Sequence, residues 1–128
     1  MPLERNRWIV FVVEDEQLIA STLALILTSK GFDARPFVDP LDALRAAHSS
    51  PPHVLVTDAM MPTMNGIELA VQIKELCPDC KIILFSALAA MTVRRNANAK
   101  LDEHNFQFLS KPIHPQVLLD AIEKILNA

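Results

Sequence analysis

The side chains best suited to chemistry stand at four points along the chain. Glu14-Asp15-Glu16 places carboxylates side by side, and Asp58 closes an apolar run. Ser86 closes a second run, and Lys111 sits in Ser110-Lys111-Pro112 after a third. Crowded carboxylates repel one another, and a hard divalent cation with oxygen ligands relieves that repulsion. Magnesium keeps several waters and takes one or two carboxylates plus phosphate oxygens, which suits this set. A lysine and a hydroxyl opposite a metal can spread the charge of a phosphoryl group and hold its oxygens. Singly, each residue has an ordinary reading: acids after a strand serve as caps and first-turn charges, Ser caps helices, and Lys-Pro is a common loop pair. Their joint occurrence is what asks for an explanation.

The elements between them alternate in period. Trp8 to Val13 is a continuous apolar run of strand length, read as covered on both faces. From Gln17 to Lys30, Ile19, Leu23, Ile26 and Leu27 recur at helical spacing, and Gly31 is the stop. Phe32 to Phe37 is a second strand, with Pro36 marking a sheet edge. Asp39-Pro40 caps a helix through about Ala47. His53 to Thr57 is a third strand ending at Asp58, and a helix from about Gly66 to Cys77 carries Leu69, Ala70, Ile73 and Leu76 on one stripe. A fourth strand spans Lys81 to Phe85, a weaker helix Leu88 to about Ala99, and a fifth strand Phe106 to Leu109. The closing helix, Pro115 to Leu126, turns Leu118, Ala121, Ile122 and Ile125 inward. Five strand–helix pairs with short links predict a doubly wound α/β domain with a parallel sheet and five helices. Sites in such sheets form at the carboxyl ends of the strands, where Glu14, Asp15, Asp58, Ser86 and Lys111 all fall.

The bulk composition narrows the setting. A chain of 128 residues fits one domain, 1–128, with its core at about 8–127. A net charge of −3 gives no electrostatic reason for direct nucleic-acid binding. Met1 to Arg7 lacks the apolar stretch of a secretory signal, and no apolar run could span a bilayer. Two cysteines without an export signal point to a reducing, cytoplasmic setting with no membrane partner. Met1 and the helical end fit a complete regulator, as they would a domain cut from a longer one.

The sequence resembles the bacterial response-regulator receiver family over nearly its whole length. The likeness rests on Val12-Val13-Glu14-Asp15-Glu16, the segment Val56 to Leu69 with its Met61-Pro62 and Asn65-Gly66 pairs, Phe85-Ser86-Ala87 and Leu109-Ser110-Lys111-Pro112. The resemblance implies a flavodoxin-like fold with strand order 2-1-3-4-5. It implies that Asp58 accepts a phosphoryl group as a carboxylate nucleophile. Asp15 is then a direct magnesium ligand, Glu14 its partner, and the Met60 carbonyl and Asp58 complete the protein's share of the shell. Lys111 pairs with the phosphoryl oxygens, Ser86 swings its hydroxyl toward them, and Phe108 moves inward as the aromatic part of the switch. Ala87 leaves room for close approach, and the Lys111–Pro112 bond is cis. The implied partners are a sensor histidine kinase or phosphotransfer protein and a downstream protein target. A homodimer through the region of the fourth and fifth predicted helices belongs to the same expectation. Such a domain is a two-component signalling switch rather than an enzyme, catalysing only its own phosphoryl transfer and slow autodephosphorylation.

Some features depart from the family pattern. Glu14 replaces the commoner Asp, Phe108 lacks a hydroxyl, and the interval from Ser86 to Lys111 is longer than usual, with Asn98 to Asn105 in place of a small-residue turn. Cys77-Pro78-Asp79-Cys80 has redox or zinc spacing, but Cys77 falls at a helix C-terminus, where the dipole disfavours thiolate. His114 reads as a loop or capping residue. A receiver-fold binding module that is never phosphorylated is the alternative function. A haloacid-dehalogenase-type phosphatase is disfavoured because position 60 is Met rather than a second Asp.

Overall fold

Continuous apolar runs need cover on both faces of a sheet, and Val10–Val13, Val54–Val56 and Ile82–Phe85 are all buried. The computed structural model describes residues 8–62, 64–86 and 106–127. Its elements in chain order are β1 (Ile9–Val13), α1 (Gln17–Ser29), β2 (Asp33–Phe37), α2 (Pro40–Ser49), β3 (Val54–Asp58), α3 (Gly66–Leu76), β4 (Lys81–Ser86), β5 (Gln107–Ser110) and α4 (Pro115–Leu126). The strands form one parallel sheet in the order β2-β1-β3-β4-β5, the order the resemblance implies. Pro36 lies on the edge strand, as its missing donor requires. Four of the five predicted helices are present. The helix predicted over Leu88 to Ala99, the segment Asn98 to Asn105, and Ala87 lie outside the described residues.

Strand alternation divides the core in two. Phe11, Val13, Leu55, Ile82 and Leu84 pack against α2 and α3, where Ala43, Ala47, Leu69, Ala70 and Ile73 supply the helical side. Val10, Val12, Val54, Val56, Ile83 and Phe85 pack against α1 and α4 through Leu23, Leu27, Leu118, Leu119 and Ile122. Two apolar residues assigned to buried stripes are in fact exposed, Ile19 on α1 and Leu76 at the end of α3. The buried face of α1 is Ala20, Leu23, Ala24 and Leu27. The stripe therefore sits one position around from the one that Ile19 and Ile26 would set.

The ends of the helices follow local chemistry. Gly31, at φ 100°, ends α1, and its N–H donates to the Thr28 carbonyl while that of Phe32 donates to Leu27. The Asp39 side chain accepts from Leu41 N at 2.9 Å and caps α2. Asn65 caps α3 by accepting from Glu68 N at 2.8 Å. Gly66 then serves a different need. A Cβ there would stand 1.9 Å from the Asp58 carbonyl oxygen and 2.8 Å from its carbon. The N-terminus of α3 is thus set directly against the end of β3, with Gly66 N–H donating to Ala59 O at 2.9 Å.

Gly66→Ala must push α3 away from β3, and overpacking of this kind costs about 1–3 kcal/mol. Urea unfolding should show that loss, beside about 1 kcal/mol for Asn65→Ala, which removes only a cap. Equal stability of Gly66→Ala and the natural chain would contradict the close approach.

Candidate functional site

Four of the five strands, β1, β3, β4 and β5, deliver a side chain to one edge of the sheet. Asp58 is the last residue of β3 and Ser86 the last of β4, while Glu14 follows β1 and Lys111 follows β5. Asp58, Glu14 and Ser86 are buried, whereas Asp15 is exposed at the rim. The Met60 N–H donates to Asp58 Oδ1 at 3.1 Å, and Lys111 Nζ donates to Asp58 Oδ2 at 2.6 Å. Lys111 Nζ also stands 3.5 Å from Glu14 Oε1, an ion pair without a hydrogen bond. The other Glu14 oxygen accepts the Glu16 N–H at 2.9 Å. The Lys111–Pro112 bond is cis.

The electrostatics follow from this crowding. Burial pushes the Glu14 carboxyl up to about 7, with Asp15 and Asp58 adding to the rise and the Glu16 N–H and Lys111 opposing it. For Lys111, burial works to lower the ammonium's pKa, but Asp58 and Glu14 outweigh it and the net shift is upward. Oxygen atoms of Glu14, Asp15 and Asp58, one from each, lie within 4.8 Å of one another. These are hard oxygen donors, and Glu14 Oε1 is buried without a hydrogen-bond donor. The residues present therefore fit a hard divalent cation. Ser86 Oγ is the second buried polar atom without a partner among the described residues.

Strand register explains how Lys111 reaches Asp58. Asp58 pairs with Phe85, and Phe85 with Leu109, in a row across β3, β4 and β5. The lysine two residues beyond Leu109 must cross β4 to meet Asp58, and its Nζ lies 5.5 Å from the centroid of the Phe85 ring. Beside this row is a cleft of about 450 Å³ lined by Glu14, Ile19, Leu23, Phe85, Lys111, Pro112 and Ile113. Ser86 faces the opposite side, with Leu84 and the half-buried Phe108 that pairs with Leu84.

The structure thus brings Glu14, Asp15, Asp58, Lys111 and Ser86 to one edge, and sets Phe108 on the neighbouring strand two residues before Ser110, the partner of Ser86. Met60 contributes a backbone N–H while its side chain is exposed. Glu16 contributes its backbone alone among the hydrogen bonds at the site. Two residues escaped the sequence reading. Gly66 was visible only as a motif residue at a helix start, and Phe85 only as an apolar strand residue, because its place beneath Lys111 depends on register. The residues set aside stay apart. His114 caps α4 by accepting from Gln116 N at 3.2 Å, and burial pushes the Cys80 thiol up to about 12.

Comparison with known proteins places this geometry in context. A family profile described as the response regulator receiver domain matches residues 10–123. The response regulator receiver protein CpdR of Brucella abortus is 33% identical over 119 residues, which cover 93% of this chain and 97% of that protein. The DNA-binding transcriptional regulator NtrC of Proteus hauseri is 32% identical over 92% of this chain, but the match spans only 24% of that protein. Among solved structures, a two-component transcriptional regulator AraC from Clostridium phytofermentans superposes with a TM-score of 0.79 at 31% identity, covering 94% of this chain and 92% of that one. A BeF3-activated DrrB receiver domain gives 0.78 at 27% identity, covering 94% and 98%.

The raised Glu14 pKa sets a pH dependence. Between its ordinary 4.5 and about 7, the folded protein holds a proton that the unfolded chain has lost. Stability from this group therefore falls as pH rises through that window. In urea titrations without divalent cations, the stability of the natural chain relative to Glu14→Gln should decline from pH 5 to pH 8. A constant difference would contradict the burial of this carboxyl.

Proposed function

This chain belongs to the response regulator receiver domain family, a signalling module rather than a classical enzyme, and we propose that it is a switch phosphorylated on Asp58. The observation that carries the proposal is the setting of Asp58: a buried carboxylate at the end of β3, tied to Lys111 at 2.6 Å and facing Glu14 and Asp15. The donor is a phosphohistidine of a sensor histidine kinase or phosphotransfer protein. An Asp58 oxygen attacks the phosphorus, the P–N bond breaks, and the electron pair leaves with the imidazole nitrogen. The product is an acyl phosphate, and water later returns the carboxylate.

The surrounding residues have matching roles. The Met60 N–H holds the carboxylate at Oδ1, and Lys111 moves from Asp58 Oδ2 to the phosphoryl oxygens. A magnesium ion held by Asp15, Asp58 and the Met60 carbonyl, with Glu14 as their partner, would supply charge neutralisation for the phosphoryl group. Phosphorylation adds about −1.5 to −2 charge units and strong acceptor oxygens. Ser86 Oγ, buried and unpartnered, donates its O–H to one of them. Its movement opens space toward which Phe108 can turn, a shift between two packings that reaches a downstream protein target.

The surface around the cleft supports a protein donor. Leu18 and Leu25 on α1 are 80% and 71% exposed, an unusual use of two leucines, and Ile19 of the same helix lines the cleft with Ile113 and Lys111. A helical partner carrying a phosphohistidine can cover this apolar face while its imidazole approaches Asp58. We further propose a cytoplasmic setting and one receiver unit over the chain. No helix among the described residues is long and apolar enough to cross a membrane. The proposed homodimer would use α4 and the segment 88–99.

Intact mass after incubation with acetyl phosphate tests the reading. The natural chain should gain one phosphoryl group only with magnesium, and Asp58→Asn should gain none. Gain on Asp58→Asn would place the phosphoryl group on another residue and overturn the assignment, and none on the natural chain even from a phosphorylated partner would favour a binding module that is never phosphorylated. Leu25→Asp should slow transfer from a phosphorylated partner protein on the order of tenfold, with a much smaller effect on acetyl phosphate. Equal slowing with both donors would argue against docking on α1.

A further inference from the structure

We propose that the ring of Phe85 is a positioning residue for Lys111, holding the ammonium by a cation–π contact on its path to the phosphoryl site. The strand order puts a β4 side chain beneath this lysine. With β4 lying between β3 and β5, any lysine following β5 must extend across β4 to reach a carboxylate at the end of β3. The β4 residue in register with Asp58 is Phe85, and Lys111 Nζ stands 5.5 Å from its ring centroid. That is within the roughly 6 Å reach over which a ring face attracts a cation.

Three contacts then locate one charged group: Asp58 at 2.6 Å, Glu14 at 3.5 Å and the aromatic face beneath. One of these partners changes state when Asp58 is phosphorylated, because its carboxylate becomes an acyl phosphate and the negative charge moves outward onto the phosphoryl oxygens. The ring does not change. Phe85 is fully buried among Val12, Val56 and Ile83, on the α1–α4 side of the sheet. It is therefore a rigid floor along which the flexible lysine chain can pivot from Oδ2 to a phosphoryl oxygen. An aliphatic residue of similar size would fill the core equally well but would offer no attraction to the ammonium. The plain alternative is that Phe85 only fills space, with the lysine above it by consequence of the fold.

Electronic substitution separates the two, since fluorine withdraws density from the ring with little change in volume. Phe85 would be replaced site-specifically, in the full chain, by mono-, di- and trifluorophenylalanine, and phosphorylation by acetyl phosphate with magnesium would be timed. The rate constant should fall stepwise, about two- to fivefold by the trifluoro ring, while the melting temperature stays level. A second readout is independent of phosphorylation: the ε-methylene protons of Lys111 should show an upfield ring-current shift that Phe85→Leu abolishes. The role rests on the phosphorylation reading, and the two can fail separately. If the natural chain takes no phosphoryl group yet shows the ring-current shift, the functional reading fails and the contact stands. No ring-current shift, or a phosphorylation rate that is flat across the fluorinated series, overturns the proposal.

Discussion

The strand order brings Glu14, Asp15 and Asp58 together at one edge of the sheet, and the mutual repulsion of these carboxylates governs what the molecule can do. Glu14 and Asp58 are buried, so neither can rely on water to disperse its charge. Lys111 bridges the two, with Nζ at 3.5 and 2.6 Å. Even so, burial leaves Glu14 raised to about 7, and its Oε1 accepts no hydrogen bond. The site is therefore incompletely neutralised. On the proposed reading it has affinity to spare for a cation, and phosphorylation of Asp58, which adds negative charge, increases that need.

The scaffold keeps these charges in place by means that lie outside the site. Gly66 lets α3 abut the last residue of β3, and the turn between them presents the Met60 N–H to Asp58. The alternation of β4 puts Phe85 on the side of Asp58 and Ser86 on the other. Adjacent residues of one strand thus serve different halves of the proposed mechanism. Phe85 faces the lysine and the cleft, and Ser86 faces Phe108 and the α2–α3 core. In that proposed mechanism, a change at the carboxylates reaches the opposite side of the sheet through the Ser86 hydroxyl, without disturbing the buried row beneath Lys111.

Much of this was legible in the residues themselves. The unbroken apolar run of β1 implied burial on both faces, Pro36 marked the edge, and Gly31 and Asp39 marked helix ends by local chemistry that does not depend on packing. The site acids, Ser86 and Lys111 were legible because each follows a strand. What escaped depends on tertiary placement. Ile19 and Leu76 fit a helical stripe but sit at its margin, which only the neighbouring elements decide. Phe85 looks like any apolar strand residue until register sets it beside Asp58. The steric role of Gly66 needs the distance between α3 and β3, which no local pattern encodes.

The most direct test of the charge balance is calorimetric titration of magnesium into the natural chain, Asp58→Asn and Lys111→Met at one pH and ionic strength. A site short of positive charge should bind one ion saturably, should lose on the order of tenfold or more in affinity when Asp58 is neutralised, and should bind more tightly once the competing ammonium is gone. Absence of saturable binding, or affinities indifferent to both substitutions, would contradict the claim that these carboxylates are held together in want of a cation.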